Sequence, residues 1–310
     1  MGKLAFLFPG QGAQAAGMGK DFYDEFAAAR RVYAEAADVL GWDVAKRCFE
    51  GPAAELNRTS VSQPAILATS LAAVAAMEEA GCPLPGEAEA AAGLSLGEYS
   101  ALVFAGALPF ADALRLVARR GEFMEAACDA APGGMASVIG LEDAEVEQVC
   151  RDAADGQVLA PANYNSPGQL VISGDREAVL RGAKLAEARG AKRAIPLQVA
   201  GAFHSPLMSP AAERLREALE GAPLVPPGRL VVPNVTAEPT RDPETIRRAL
   251  VQQVDHPVFW SQSVRRLAAE GFARFAEPAP GRVLTGLLRR IEPSAEGINL
   301  STAEQVRSAG

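Results

Sequence analysis

Five residues, Gly93-Leu94-Ser95-Leu96-Gly97, constrain the fold of this chain more tightly than any other stretch. They fit G-x-S-x-G, the pattern of a strand that turns sharply into a helix with a serine at the apex. The turn is tight, so the positions two before and two after the serine must be tiny. A serine hydroxyl is a weak nucleophile until a base takes its proton. The apex lifts the hydroxyl to where a base and a substrate can reach it. The following helix aims free N–H groups at the same place, where they can hold an oxyanion. Leu96 to Phe104 reads as that helix, ended by Gly106. The preceding segment must then be a strand, although Glu87 to Ala92 is mostly Ala and Glu and favours helix by propensity. The competing reading is a glycine-rich turn carrying a surface serine.

The chain has 310 residues, 49% of them hydrophobic, which suits one large domain or a large domain with a smaller companion. Net charge is −8, and no Lys/Arg run argues for nucleic acid or an anionic membrane. The apolar segment Leu4 to Phe8 is too short for a signal peptide and is closed by Pro9. No apolar run is expected to span a bilayer. Cys48, Cys82, Cys128 and Cys150 show no C-x-x-C spacing, which argues against metal and disulfide frameworks. The expectation is a cytoplasmic protein without a metal.

Leu4 to Phe8 reads as a buried strand, followed by a turn at Pro9-Gly10-Gln11-Gly12. Gly10 to Ala15 also fits G-x-G-x-x-A, but the dinucleotide fingerprint needs a second strand about 20 residues on. Here Met18 to Leu40 is one long helical pattern. A phosphate loop fails too, because Met18 rather than Lys follows Gly17. Gly51 to Ser62 reads as a polar connector. Gln63-Pro64 then opens an Ala-rich helix that Gly81 ends, with Pro64 in its first turn. Phe110 to Ala126 is a helix on which Ala113, Leu116, Val117 and Met124 share a face with Arg120 in their midst. Asp112, Arg115 and Arg119 fall on its polar side. A guanidinium among apolar residues needs an anion, either an internal acid or a ligand.

Pro132 to Ala200 alternates strand and helix patterns in the order βαββαβ, with a hairpin turn at Asn165 to Gly168. This is a ferredoxin-like subdomain over residues 131–201, inserted into a core made of 1–130 and 202–310. Beyond it the pattern predicts a strand at Leu230 to Pro233, helices at Glu244 to Val254 and from Asp255, and a strand at Ala273 to Glu277. A helix from Pro280 to Ile291 follows, and the polar tail after Glu296 is expected to be mobile. Two histidines compete as the base for Ser95. His204 sits in a loop after a strand, a usual place for a catalytic group. His256 precedes Pro257 at a helix start and reads as capping or packing. No acid stands out as a third member, and a backbone or amide carbonyl could orient the ring instead.

Several of these stretches recur in order in one family. Phe8-Pro9-Gly10-Gln11-Gly12, Gln63-Pro64-Ala65, Ser95 to Leu102, Arg120-Gly121, Asn163 to Gln169, Phe203-His204-Ser205 and Pro280 to Leu284 carry the likeness. With them the chain resembles bacterial malonyl-CoA:acyl carrier protein transacylases over nearly its whole length. The resemblance implies an α/β fold, a hydrolase-like core with a parallel sheet plus the inserted ferredoxin-like subdomain. It implies a ping-pong acyltransferase of fatty-acid biosynthesis, in which Ser95 takes malonyl from coenzyme A and passes it to the phosphopantetheine thiol of acyl carrier protein. His204 would match the base, Arg120 the anchor of the malonyl carboxylate, and Gln253 the residue whose carbonyl orients the histidine. Gln11 and Leu96 would match the backbone oxyanion donors, and Gln63, Leu94, Asn163 and Phe203 the pocket. No cofactor would be held permanently, coenzyme A entering as the thioester substrate. The expected partners are malonyl-CoA and acyl carrier protein, with no nucleic acid or membrane, and the expected state is a monomer.

Phe203-His204 resembles the malonyl-selecting form of its motif. Two departures stand out: Leu94 replaces the histidine usual before the nucleophile, and Pro278-Ala279 replaces the usual Val-Gly after Glu277. For an acidic carrier, Lys184, Arg189, Lys192, Arg193, Arg282, Arg289 and Arg290 are the candidate docking cations, against an ordinary solvated charged face. Two alternatives share the Ser/His pair: a serine hydrolase or thioesterase that delivers the acyl group to water, and a non-catalytic partner subunit of a synthase. A carboxylate anchor at Arg120 favours the transferase over a simple esterase.

Overall fold

The computed structural model describes residues 2–309. The first part of the core runs β1 (Lys3–Phe8), α1 (Lys20–Glu25), α2 (Ala27–Leu40), α3 (Val44–Glu50), α4 (Ala53–Leu56) and α5 (Thr59–Glu79). It continues with α6 (Leu84–Glu87), β2 (Ala88–Gly93), α7 (Gly97–Phe104) and α8 (Phe110–Ala130). A second unit follows: β3 (Gly133–Ile139), α9 (Asp143–Ala153), β4 (Leu159–Ser166), β5 (Gln169–Asp175), α10 (Arg176–Ala188) and β6 (Arg193–Pro196). The chain then makes a 3-10 turn at Pro206–Met208 and adds α11 (Ser209–Glu220), β7 (Leu230–Val232), α12 (Pro243–Gln252) and α13 (Trp260–Ala269). It ends with β8 (Phe272–Pro278), α14 (Val283–Ile291), β9 (Glu296–Leu300) and α15 (Ala303–Ser308).

Two sheets result. The first has the order β7-β2-β1-β8-β9 with every pairing parallel. A parallel sheet is buried on both faces, and β1 shows it. Leu4, Phe6 and Phe8 join the larger core cluster, while Ala5 and Leu7 face a second cluster around Trp260, Val264 and Leu288. The second sheet has the order β4-β5-β3-β6, all antiparallel, with α9 and α10 packed on it. That is the ferredoxin-like arrangement expected from the sequence. Its hairpin is a two-residue turn, Pro167-Gly168, with Gly168 at φ 66°. It meets the core where Asn163 of β4 bridges Val258, and Tyr164 N–H donates to the Val258 carbonyl at 3.0 Å.

The Ala-rich stretch before Ser95 is strand β2, against its helix propensity. It lies between β1 and β7, and both neighbours offer backbone partners that a helix would leave unpaired. Elsewhere tertiary contacts overrule local pattern. The helix expected over Met18 to Leu40 is broken at Phe26, whose backbone is extended and whose side chain is buried. α5 starts at Thr59 inside the expected connector, so Pro64 sits within the helix rather than in its first turn. Glu125 of α8 explains the early start, because its carboxylate accepts from the Ser60 N–H at 3.1 Å and caps the helix from outside. By length and composition α5 is apolar enough to cross a membrane, contrary to the expectation. Here 78% of that window is buried inside the protein, against α2 and α8. The tail is ordered too: β9 pairs with β8, and α15, started by a capping box between Thr302 and Gln305, packs on α5. Polar composition hid it because, among its described residues, only Leu300, Ala303 and Val306 are buried.

Candidate active site

Ser95 stands between β2 and α7 with φ 51°, a left-handed conformation unfavourable for a residue with a side chain. The flanking glycines are required by space. A Cβ on Gly93 would lie 1.9 Å from the Gly97 carbonyl carbon, and one on Gly97 would lie 2.1 Å from the Phe8 carbonyl oxygen. The elbow is therefore locked against β1 as well as against its own helix.

The Ser95 hydroxyl lies 2.8 Å from His204 Nε2. His204 Nδ1 donates to the Gln253 backbone carbonyl at 2.7 Å. That bond places the proton on Nδ1 and leaves Nε2 to accept from the serine. Burial, with the nearby Arg120 charge, lowers the His204 pKa to about 4, so the ring is neutral and ready as a base at neutral pH. The His256 backbone lies beside His204, but its side chain is elsewhere. Its side chain is exposed, bonded to Asp255 and the Gln252 carbonyl, and lies before α13 rather than capping it or packing in the core.

Arg120 is 1% exposed on α8, among the apolar residues the helical pattern placed around it. Nη1 donates to Gln63 Oε1 at 2.7 Å, and Nη2 donates to Gln253 Oε1 at 3.0 Å and to Ser95 Oγ at 3.1 Å. Its Nε has no partner among the described residues. Among the described residues no carboxylate forms an ion pair with it, so the internal acid considered from the sequence is absent from its contacts. Burial opposes the Arg120 charge, while the buried Tyr99 and Glu98 favour it without a hydrogen bond to it. Arg120 remains charged, since a guanidinium is not deprotonated in proteins.

A cleft of about 350 Å3 opens over the serine. Leu94, Ser95, Asn163, Phe203 and His204 form part of its wall, together with Gln11 and the segment Leu197 to Ala200. Gln63 lies behind this wall, fully buried, and reaches the site through Arg120 and through Met124, whose Sδ accepts from Gln63 Nε2 at 3.5 Å and which lines the cleft. Among the described residues neither the Gln11 nor the Leu96 backbone N–H donates to a protein group. The candidate docking cations are exposed, though Arg189 pairs with Asp152 and Arg290 donates to Gln169. Among the described residues no group of three or more His, Cys, Asp or Glu side chains is placed to hold a metal ion.

Two residues of the site carried no role in the sequence reading, Glu98 and Asn234. Glu98 Oε2 accepts from Gln253 Nε2 at 2.7 Å and from the Asn234 N–H at 3.0 Å. Glu98 follows the elbow directly, so proximity was a usable signal for it. Asn234 is distant in sequence and gave none.

The acyl transferase domain family matches residues 5–305. The chain belongs to this family. This acyl transferase is 46% identical over 295 residues to the malonyl CoA-acyl carrier protein transacylase of Escherichia coli strain K12, covering 94% of this chain and 93% of that one. Its structure is similar to that of an acyl carrier protein S-malonyltransferase from Vibrio cholerae, with a TM-score of 0.95 and 41% identity over 99% of this chain and 100% of the other. It is also similar, at a TM-score of 0.94 and 41% identity over 99% and 98% of the two chains, to a malonyl-transacylase in complex with a type II PKS acyl-carrier protein.

Proposed function

We propose that this acyl transferase moves a malonyl group from coenzyme A to the phosphopantetheine thiol of an acyl carrier protein through an ester on Ser95. His204 Nε2 takes the Ser95 proton as the hydroxyl oxygen attacks the thioester carbonyl. The Gln11 and Leu96 N–H groups receive the oxyanion. The tetrahedral adduct collapses, the carbon–sulfur bond breaks, and His204 gives its proton to the departing coenzyme A thiolate. The carrier thiol then gives its proton to His204 and attacks the ester, and Ser95 leaves with that proton. Gln253 holds the ring through the imidazolium stage by its backbone carbonyl.

The observation that carries this reading is Arg120, a buried cation 3.1 Å from the nucleophile whose hydrogen-bond partners are all neutral. A malonyl carboxylate supplies the missing anion, bidentate and inside the low-dielectric site. An esterase for neutral acyl groups has no use for that charge. The reading includes a cytoplasmic enzyme of fatty-acid synthesis, with 131–201 as an inserted subdomain that forms one side of the cleft. Intact-protein mass after mixing with malonyl-CoA tests it. One malonyl adduct is expected, lost in Ser95→Ala and discharged by a carrier protein. Steady consumption of malonyl-CoA without any acceptor would favour a hydrolase.

A further inference from the structure

We propose that Asn234 is a positioning residue for the nucleophile, its side-chain amide standing in for a peptide group that extends the parallel ladder to Ser95. The inference rests on the acyl-enzyme reading above. β7 pairs with β2 through Ala90↔Leu230, Ala91↔Val231 and Ala92↔Val232, and then ends. The next residue, Pro233, has no N–H to donate. At that point the Asn234 side chain takes over. Its Nδ2 donates to the Gly93 carbonyl at 2.7 Å, and its Oδ1 accepts from the Ser95 N–H at 2.7 Å. In a parallel ladder one residue's N–H and C=O reach the two residues flanking its opposite number. The amide of Asn234 makes that same pair of bonds across Leu94. On the other side the Leu94 N–H donates to the Phe8 carbonyl at 3.0 Å.

The apex is thus gripped on both sides at the position where Ser95 adopts φ 51°. A strained conformation of this kind persists only where the surroundings over-determine it. Asn234 is itself fixed. It is fully buried, its N–H donates to Glu98 Oε2 at 3.0 Å, and its carbonyl accepts from the Phe259 N–H at 2.9 Å. Gln253 Nε2 donates to Glu98 Oε2, to the Ser95 carbonyl at 2.9 Å and, at 3.3 Å, to Asn234 Oδ1. The Gln253 carbonyl in turn orients His204. Asn234 therefore ties the nucleophile's backbone to the group that aims its base.

The test uses the full chain with Asn234→Ala and Asn234→Asp. Each is measured for thermal stability, for kcat and KM with malonyl-CoA from pH 5 upward (about the pH at which carboxyls begin to protonate), and for labelling of Ser95 by a neutral sulfonyl fluoride. Both variants are expected to lose on the order of 10²-fold in kcat and in labelling rate, the cost of a small misplacement of the reacting atom. KM should change little, because Arg120 is untouched. Asn234→Asp carries a finer signature. An ionised carboxyl accepts from Ser95 N–H but cannot donate to Gly93, whereas a protonated one does both. With Glu98, His204 and Arg120 as its charged or titratable neighbours, its activity relative to wild type should rise as pH falls, while that of Asn234→Ala stays level. Folded variants with wild-type kcat, a change in KM alone, or a level pH ratio for Asn234→Asp would overturn the proposal. Unfolding of both variants would also overturn it, assigning Asn234 to stability. If wild type forms no malonyl ester while sulfonyl fluoride labelling still depends on Asn234, the substrate reading fails and the positioning role stands.

Discussion

Arg120 Nη2 donates to the Ser95 hydroxyl oxygen at 3.1 Å, so the one buried cation of the site touches its nucleophile. The amide oxygens of Gln63 and Gln253 complete its partners without neutralising it. A guanidinium left this way waits for an anion. Its Nε, without a partner, offers a further donor for a bidentate carboxylate.

Arg120→Ala should therefore cost about 10²–10⁴-fold in kcat/KM for malonyl-CoA, given about 1.5–3 kcal/mol for each charged hydrogen bond and ~1.4 kcal/mol per tenfold. Acetyl-CoA carries no carboxylate, so its transfer should hold or rise. Arg120→Lys should recover only part, because an ammonium cannot make the planar fork. Equal losses for both thioesters would make Arg120 a structural residue.

The depressed pKa of His204 has a kinetic consequence. Burial is the first cause and Arg120 the second. The base is lost when the free enzyme binds a proton, so sulfonyl fluoride labelling of Ser95 should show an acid limb at about pH 4. Arg120→Ala should move the limb upward, since one cause of the depression is gone. A limb at the ordinary histidine value in wild type would contradict the buried, neutral ring.

Glu98 behaves in the opposite sense. Burial raises its pKa from 4.5 to about 7, outweighing its bonds from Asn234 and Gln253. Between those two values the folded state holds a proton that the unfolded state has released, so stability falls as pH rises through the window. At ~1.36 kcal/mol per unit the loss approaches roughly 3 kcal/mol above pH 7. Glu98→Gln keeps an oxygen for both donors and does not titrate. Its denaturant-derived stability should gain on wild type as pH rises from about 4.5 to 7. A pH-independent difference between the two proteins would refute this.

Leu94 is compatible with turnover in this arrangement. It lines the cleft, packs toward the cluster around Trp260, and contributes to the elbow through its backbone. Leu94→His should alter kcat modestly. A wild type with no acyl-enzyme, rescued by Leu94→His, would show that the leucine disables the site.

The local devices were legible. Glycines at 93 and 97 and the apolar face around Arg120 are short-range patterns, and the structure places Ser95 and Arg120 where those patterns pointed. A loop position after a strand pointed to His204, and the resemblance supplied Gln11, Leu96 and Gln253 by position. It also supplied Gln63 as a pocket residue, whereas the structure sets it one layer behind, against Arg120. Misreadings fell where distant residues intervene. Glu125 starts α5 early, an extended Phe26 splits α1 from α2, and pairing with β8 orders a polar tail.

By itself the sequence determined the strand–turn–helix at Ser95, the βαββαβ order of the insert, and a cation on an apolar helix face. These follow from periodicity and from the size of glycine, which act over a few residues. Only the tertiary structure decided that His256 faces solvent, and that Asn234, Glu98 and Gln253 form one buried set of hydrogen bonds. Those groups lie up to 155 residues apart in the chain. Their pairing is enforced by the cost of burying an unpartnered polar group, which exists only once the core has closed around them.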